Sequence, residues 1–319
     1  MIVIGSRKSK LAMWQTEMVA EALNAVGMET TIKAMETMGD KVLDTSIAKI
    51  GSKGVFTREL EEQLASGATD IAVHSAKDMQ SQLPEGFALI AFTRREQVND
   101  VLVSDNQSLD IDDSSKKIRI GTSSVRRRAL LRYYYPHVEP VEMRGNLQTR
   151  IRKMREGACD ALMLAYAGVK RMDYDKMIIK IFPVTQIFPP VGQGSIAIEA
   201  SSLLPPDKRE FIRACLNDGD SENCLLAERA FLKTLEGGCS IPVFALATLD
   251  QQDIVLTGGL VSLDGRQIVM MQRRGAIGEA EMIGLELGKE ILDNDGRELL
   301  ARIRQEQGGG PSSEQVDLP

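Results

Sequence analysis

The chain has 319 residues, a formal net charge of −6, 43% hydrophobic residues and 4% aromatics. That length allows two or three separate cores, and the absence of an 18-residue apolar run excludes a membrane-spanning helix. Four cysteines without a CxxC pair and only two histidines, His74 and His137, exclude a disulfide scaffold and argue against a metal site, so no metal is expected.

In chain order, Met1–Gly5 reads as a strand and not as a signal peptide, which implies a soluble cytoplasmic protein with reduced thiols. Ser9 caps a helix to about Ala25, Thr30–Glu36 is extended, Phe56–Ala65 is amphipathic, and Ile71–His74 and Phe87–Phe92 are strands. The alternation restarts at Asp100, runs through two arginine-rich junctions to a strand at Ala161–Ala165, and is punctuated by Pro189-Pro190-Val191-Gly192-Gln193-Gly194. A strand at Ser195–Glu199 and a helix near Asp207–Cys215 are expected to complete the first sheet. The pattern therefore predicts two periplasmic-binding-protein-like α/β lobes, 1–95 with 195–216 and 99–190, joined by two crossings around a ligand cleft. From Ser221 a helix, three apolar extended segments (Val243–Leu249, Ile254–Val261, Gln267–Gln272) and two helices predict an α+β domain over 220–306 with a small antiparallel sheet. The tail 307–319, which contains Gly308-Gly309-Gly310-Pro311, is expected to be disordered.

Charge is concentrated in one place. Residues 116–155 hold twelve Lys or Arg against Glu139 and Glu142, a local +10 that leaves −16 for the rest of the chain. Arg126-Arg127-Arg128 follow Gly121-Thr122-Ser123-Ser124 at a helix start, where the macrodipole penalises cations unless an anion sits above the free N–H groups. A second junction repeats the arrangement: Val138–Met143 extended, Arg144-Gly145-Asn146 with Asn146 as N-cap, then Arg150, Arg152 and Arg155 on a helix. Two such junctions point to a ligand bearing several carboxylates or phosphates, since Arg pairs bidentately with both. The competing account is a solvated helical face. Nucleic acid is disfavoured by the scarcity of aromatics and a pI near 5.3.

Two further loops carry candidate chemistry. Strand Ile71–His74 runs into Ser75-Ala76-Lys77-Asp78, which would place Lys77 and Asp78 at the carboxyl edge of the sheet; helix capping by Asp78 is the alternative. Helix Glu222–Leu235 ends in Glu236-Gly237-Gly238-Cys239, where the glycines can take positive φ and leave a flexible collar around one thiol. A small buried cysteine is the alternative there.

Seven strings occur in order over essentially residues 1 to 305: Gly5-Ser6-Arg7-Lys8-Ser9-Lys10-Leu11-Ala12, Gly51-Ser52-Lys53-Gly54, His74-Ser75-Ala76-Lys77-Asp78, Gly121-Thr122-Ser123-Ser124-Val125-Arg126-Arg127, Arg144-Gly145-Asn146, Val191-Gly192-Gln193-Gly194 and Leu235-Glu236-Gly237-Gly238-Cys239. In this the chain resembles the porphobilinogen deaminase (hydroxymethylbilane synthase) family. The resemblance implies an enzyme that condenses four porphobilinogen molecules into a linear tetrapyrrole with release of ammonia, in haem and porphyrin biosynthesis, and hands the product to the next enzyme of the pathway. It implies a dipyrromethane cofactor tied by a thioether to Cys239 and an essential carboxylate at Asp78. Residue by residue, the cofactor would also meet Ser75, Lys77, Thr122, Ser123, Arg126, Arg127, Arg144 and Gly145. Substrate side chains would meet Arg7, Ser9, Lys49, Lys53, Arg144, Arg150, Arg171 and Gln193. A monomer with no nucleic-acid or membrane partner is the implied state.

The chain departs from the family pattern in places. Met79-Gln80 stand where a hydrophobic residue and Pro are usual, which is expected to free the loop carrying Asp78; Ala76 replaces Met. Gln97-Val98-Asn99 replaces Asp-Pro-Arg, removing a basic contact near the first crossing, and Ser52 replaces glycine. An active enzyme with altered rate or loop dynamics is expected. The alternatives are a non-catalytic two-lobed polyanion-binding protein, a low-activity relative, and an RNA-binding protein.

Overall fold

A computed structural model of the chain describes residues 1–38, 57–238 and 240–308. The first sheet is built from β1 (Ile2–Arg7), β2 (Thr30–Met35), β3 (Ile71–Ser75), β4 (Phe87–Phe92) and β10 (Ile196–Ser201), in the order β2-β1-β3-β10-β4. The second contains β5 (Asp100–Val103), β6 (Arg119–Gly121), β7 (Glu139–Val141), β8 (Ala161–Ala165) and β9 (Ile178–Ile181), in the order β7-β6-β8-β5-β9. Each sheet pairs its first three strands in parallel and sets its fourth antiparallel: β10 against β3, and β5 against β8. Those two antiparallel strands are the ones that directly follow the crossings, residues 93–99 and 182–195. The chain thus enters each lobe by inserting a strand into its middle.

Burial explains why these segments are strands. Alternate residues of β5 and β8 enter different clusters, Leu102, Ala161 and Met163 on one face and Val101, Val103, Leu162 and Leu164 on the other. A sheet covered by helices on both faces needs such continuous apolar runs. In the first lobe α1 (Lys10–Ala25), capped by Ser9, packs Val19 and Leu23 against Ile2, Ile4, Ile71 and Ile198. The same lobe carries α2 (Arg58–Ala65); α3 (Val125–Tyr134), α4 (Leu147–Arg155) and α5 (Tyr166–Arg171) belong to the second.

After α6 (Pro206–Leu216) and α7 (Gly219–Thr234), strands β11 (Val243–Asp250), β12 (Asp253–Val261) and β13 (Ile268–Ala276) form an antiparallel sheet, followed by α8 (Ala280–Ile291) and α9 (Arg297–Glu306). The ring of Phe231 lies on Gly258, where a Cβ would come within 2.7 Å of it. No helix among the described residues is long and apolar enough to cross a membrane.

The end of α7 differs from expectation. Glu236 takes φ +48, and the φ of Gly237 is not positive. Glu236 N donates to Lys233 O and Gly237 N to Leu232 O, both at 3.0 Å, which is a Schellman closure with glutamate in the left-handed position. Gly237 is required by packing instead, because a Cβ would lie 2.5 Å from Leu232. Arg304 holds Glu236 at 2.9 Å. The tail beyond Gly308 lies outside the described residues.

Candidate active site

Strand β3 ends in a single 3-10 turn, Ala76–Asp78, with Asp78 exposed. Ala76 N donates to Ser195 O at 3.0 Å and Met79 N to Ala76 O at 3.3 Å. Gly192 (φ +80) crosses directly over the turn: a Cβ there would lie 2.8 Å from the Ala76 carbonyl carbon and 2.9 Å from Lys77 N. Asp78, Arg7, Ser9, Ser75, Gln15 and Thr57 line a cavity of about 60 Å³, and Gln15 Nε2 donates to Ser75 Oγ at 3.0 Å.

The departure at 79–80 does not free this loop. Met79 is buried against Phe92, Ala197 and Leu225. Gln80 Nε2 donates to Thr57 Oγ1 at 3.1 Å and Glu61 Oε1 at 3.3 Å, while its carbonyl accepts from Arg229 at 2.8 Å. A side-chain amide supplies the restraint expected from proline.

In the second lobe Ser124 caps α3 and Ser123 Oγ donates to Met143 O at 2.6 Å; Thr122 is buried, its N–H bonded to Val141 O. Arg126 and Arg127 are 4% and 6% exposed. Each places one Nη 2.7 Å from a different oxygen of the fully buried Asp100. Arg127 also donates to Met163 O at 2.9 Å and Arg126 to Phe188 O. The anion above this helix start is thus in part the protein's own. Burial alone would push the Asp100 carboxyl up, but the two guanidinium groups outweigh it and hold it well below the usual carboxylate range. The sequence marks Asp100 only as the start of the second alternation, although a carboxylate heading the apolar run Val101-Leu102-Val103 is itself a signal of a buried cationic partner.

Gln193 ties the lobes together. Its Nε2 donates to Asp100 Oδ1 at 2.9 Å and Val98 O at 2.7 Å, and its Oε1 accepts from Lys77 Nζ at 3.3 Å. Arg150 donates to Gly145 O at 2.7 Å, Arg144 pairs with Glu142 at 2.8 Å, and Asn146 caps α4 through Thr149 N at 2.9 Å. Gly145 (φ +113) leaves no room for a Cβ, which would meet Thr149 at 2.7 Å.

The surplus of positive charge is legible in the side chains. Lys77 is lowered to about 8, first by burial and then by Arg127, with Asp78 opposing. Arg150 is lowered to about 10 by burial and by Arg127, again with Asp78 opposing. Lys77 stands on the first lobe and Arg150 on the second, so Asp78 is the carboxylate that both feel. The Nε atoms of Arg126 and Arg127 are buried without a hydrogen-bond partner.

Residues 2–204 match the model of the family described as "Porphobilinogen deaminase, dipyromethane cofactor binding domain", and residues 223–293 match "Porphobilinogen deaminase, C-terminal domain". The chain belongs to the porphobilinogen deaminase family. It is 59% identical over 306 residues to the porphobilinogen deaminase of Desulfosudis oleivorans, covering 96% of this chain and 99% of that one. It is 54% identical over 302 residues to that of Cytophaga hutchinsonii, covering 95% and 96%. Among solved structures, the second substrate binding domain of a putative amino acid ABC transporter from Streptococcus pneumoniae is similar at 14% identity and a TM-score of 0.42, covering 67% of this chain and 91% of that one.

Of the residues assigned by family resemblance, Arg7, Ser9, Ser75 and Asp78 share one cavity. Lys77, Gln193, Arg126 and Arg127 form one hydrogen-bonded chain through Asp100. Arg171 stands apart, with Nη2 donating to Gly194 O at 2.8 Å and its guanidinium 5.6 Å from the Trp14 ring, a contact between lobe and crossing. Lys49, Ser52, Lys53 and Cys239 lie outside the described residues. The first crossing does keep a basic contact: Arg95 donates to Glu228 at 3.1 Å and to Gln193 O at 2.9 Å, while Glu228 also accepts from Gly192 N and Ala247 N at 2.9 Å.

Proposed function

We propose that the cleft around Asp78 is where this member of the family condenses four porphobilinogen molecules head to tail into hydroxymethylbilane, releasing ammonia at each step. One observation carries the reading. The exposed Asp78 lines one cavity with Arg7, Ser9 and Ser75, and the neighbouring Lys77 is linked through Gln193 and Asp100 to Arg126 and Arg127 of the second lobe.

The residues present suit a dipyrromethane. Its carboxylates would meet Lys77, Arg126, Arg127 and Arg144, with Ser75, Thr122, Ser123 and Gly145 beside them, and the unpartnered buried Nε atoms of Arg126 and Arg127 mark unsatisfied cationic capacity. When bound through Cys239, the cofactor supplies the pyrrole terminus on which the chain starts. Arg7, Ser9, Lys49, Lys53, Arg144, Arg150, Arg171 and Gln193 would hold the acetate and propionate groups of incoming substrate.

In each condensation the aminomethyl C–N bond of porphobilinogen breaks, the electron pair leaving with nitrogen, which departs as ammonia once protonated. A C–C bond then forms to the free α-carbon of the acceptor pyrrole, and that carbon sheds a proton. Positive charge develops on the pyrrole nitrogen before and after the new bond. The carboxylate of Asp78, fixed by its turn, accepts the pyrrole N–H and stabilises that charge without reorganising. The product would pass to the next enzyme of haem and porphyrin biosynthesis. A reducing, cytoplasmic compartment accords with the free thiols of Cys159, Cys215 and Cys224, and a monomer is the state that the family resemblance implies.

Intact mass of the denatured protein tests the cofactor. An excess of two linked pyrroles, absent in Cys239→Ser, is the expected result, and Asp78→Asn should lower hydroxymethylbilane formation by about 10²-fold or more. Undiminished turnover by Asp78→Asn would remove Asp78 from the mechanism.

A further inference from the structure

The exposed carboxylate of Asp78 is placed by the backbone of its turn, so whatever grips the turn sets the position of the charge. On the amino side the grip is the second crossing, through Ser195 O and the close approach of Gly192. On the carboxyl side it is a different group of residues. Gln80 Nε2 is held by Thr57 and by Glu61, which is 8% exposed on α2, and Gln80 O accepts from Arg229 Nη2 at 2.8 Å.

Arg229 is unusual for what it does. It is largely buried, and yet its hydrogen bond goes to a backbone carbonyl and not to a carboxylate. Burial draws it down to about 10, relieved by the field of Glu199. Glu199 is itself buried 3.0 Å from His74 on the neighbouring strand. Holding a cation this way is costly unless something depends on it. The residue before it, Glu228, grips both crossings through Arg95 and Gly192 N. Both residues sit on α7, which ends in the Schellman turn leading to Cys239. One helix therefore holds the crossings, the Asp78 turn and the root of the cysteine loop.

We propose that Arg229, acting through the Gln80 carbonyl, is a positioning residue that fixes the Asp78 turn to the domain carrying Cys239. The inference rests on the reading of Asp78 as the reacting carboxylate. Neither Arg229 nor Gln80 need touch substrate. Gln80 occupies the position where the family pattern has proline, so the side-chain amide and its anchorage to Thr57 and Glu61 are features of this chain.

The test uses the full chain, with its cofactor loading verified by intact mass, in wild type, Arg229→Met, Arg229→Lys, Gln80→Ala and Asp78→Asn. Two quantities are read: amide hydrogen exchange of the Ser75–Ser81 segment without substrate, and steady-state kcat and KM for porphobilinogen. For Arg229→Met we expect exchange of the Ala76 and Met79 amides to speed about tenfold and kcat to fall about 10- to 100-fold, with KM within about twofold, the pattern of a displaced charge. Lysine can still reach the Gln80 carbonyl, so Arg229→Lys should recover most of kcat. Gln80→Ala keeps the carbonyl that Arg229 grips and loses only the anchorage to Thr57 and Glu61, so it should show a smaller change of the same kind; Arg229→Gln serves in place of Arg229→Met if that variant does not fold. Unchanged kcat, unchanged exchange with reduced kcat, or a loss carried by KM would each overturn the proposal. If Asp78→Asn retains full turnover, the reading of the site fails whatever Arg229 does; if Asp78→Asn is inactive and Arg229→Met is normal, only this inference fails.

Discussion

Asp100→Asn is the sharpest probe of the second lobe. In the native protein one buried carboxylate faces two buried guanidinium groups and the Gln193 amide, with its contacts at 2.7 and 2.9 Å. Asparagine keeps the shape and one acceptor, but it removes the only negative charge and turns an NH2 toward donors. Breaking a buried ion pair by removing one partner costs about 3–5 kcal/mol. At about 1.4 kcal/mol per factor of ten, protection of the amides of β5 and α3 against hydrogen exchange should fall by a hundredfold to a few thousandfold. The charge count predicts a second-site effect as well. Asp100→Asn leaves two buried cations and no anion, so adding Arg127→Met, which removes one cation, should restore part of the lost protection. A protection change below about tenfold, or a double variant weaker than the single, would refute the argument.

The pH dependence carries an independent sign. The folded-state pKa of Asp100 is depressed, so its contribution is fully present above the unfolded value near 3.9 and is lost as pH falls toward the folded value. The gap between wild type and Asp100→Asn should therefore be constant from about pH 5 to 7 and close progressively below about pH 4. A gap that widened on acidification would mean that the carboxyl is not stabilised in its ionised form.

Lys77, lowered to about 8, should react with acetic anhydride in competitive labelling along a profile half-maximal near pH 8, whereas exposed lysines follow about 10.4. Its charged form opposes folding below that pH, so stability contributed at this site should rise between pH 8 and 10. Gly192→Ala forces a residue at φ +80 and drives a methyl to 2.8 Å from the Ala76 carbonyl carbon, so kcat should fall with a stability loss of about 1–3 kcal/mol by urea unfolding. Asn146→Ala removes the α4 cap bonded to Thr149 N and should cost about 1 kcal/mol in the same assay.

Much of the fold was legible because its signals are local. Ser9 and Asn146 cap helices as their positions announce, and the apolar runs at Ile71, Ala161 and Val243 are buried strands. The site was legible as charge: the arginine junctions, Asp78 at a strand end and Gln193 between two glycines. What the sequence hid are the partners of those charges, because they come from distant segments. Asp100 meets Arg126 across 26 positions, Glu228 meets Arg95 across 133, and Arg229 meets Gln80 across 149. No periodicity encodes such pairs. The end of α7 shows a local limit as well: a helix followed by two glycines suggests positive φ at glycine, but the left-handed residue is Glu236, while Gly237 lies against Leu232.

The positions of the buried carboxylates explain how an acidic protein keeps a basic cleft. Asp100 and Glu228 both lie fully buried at joints, one beneath α3 and the other where the crossings meet α7. Each is saturated by neighbours that hold the architecture: Arg126, Arg127 and Gln193 for the first, Arg95, Gly192 and Ala247 for the second. A buried carboxylate at a joint orients cations without masking them, because its lone pairs face inward and its charge is outnumbered. Two guanidinium groups around one Asp100 leave a unit of positive charge, and after burial, the larger cause, Arg127 lowers the pKa of Lys77 and of Arg150 alike. That residual charge is held by the fold itself. It would not need to be rebuilt for each anionic substrate, and it leaves Asp78, which has no ion pair among the described residues, able to serve a transient cation.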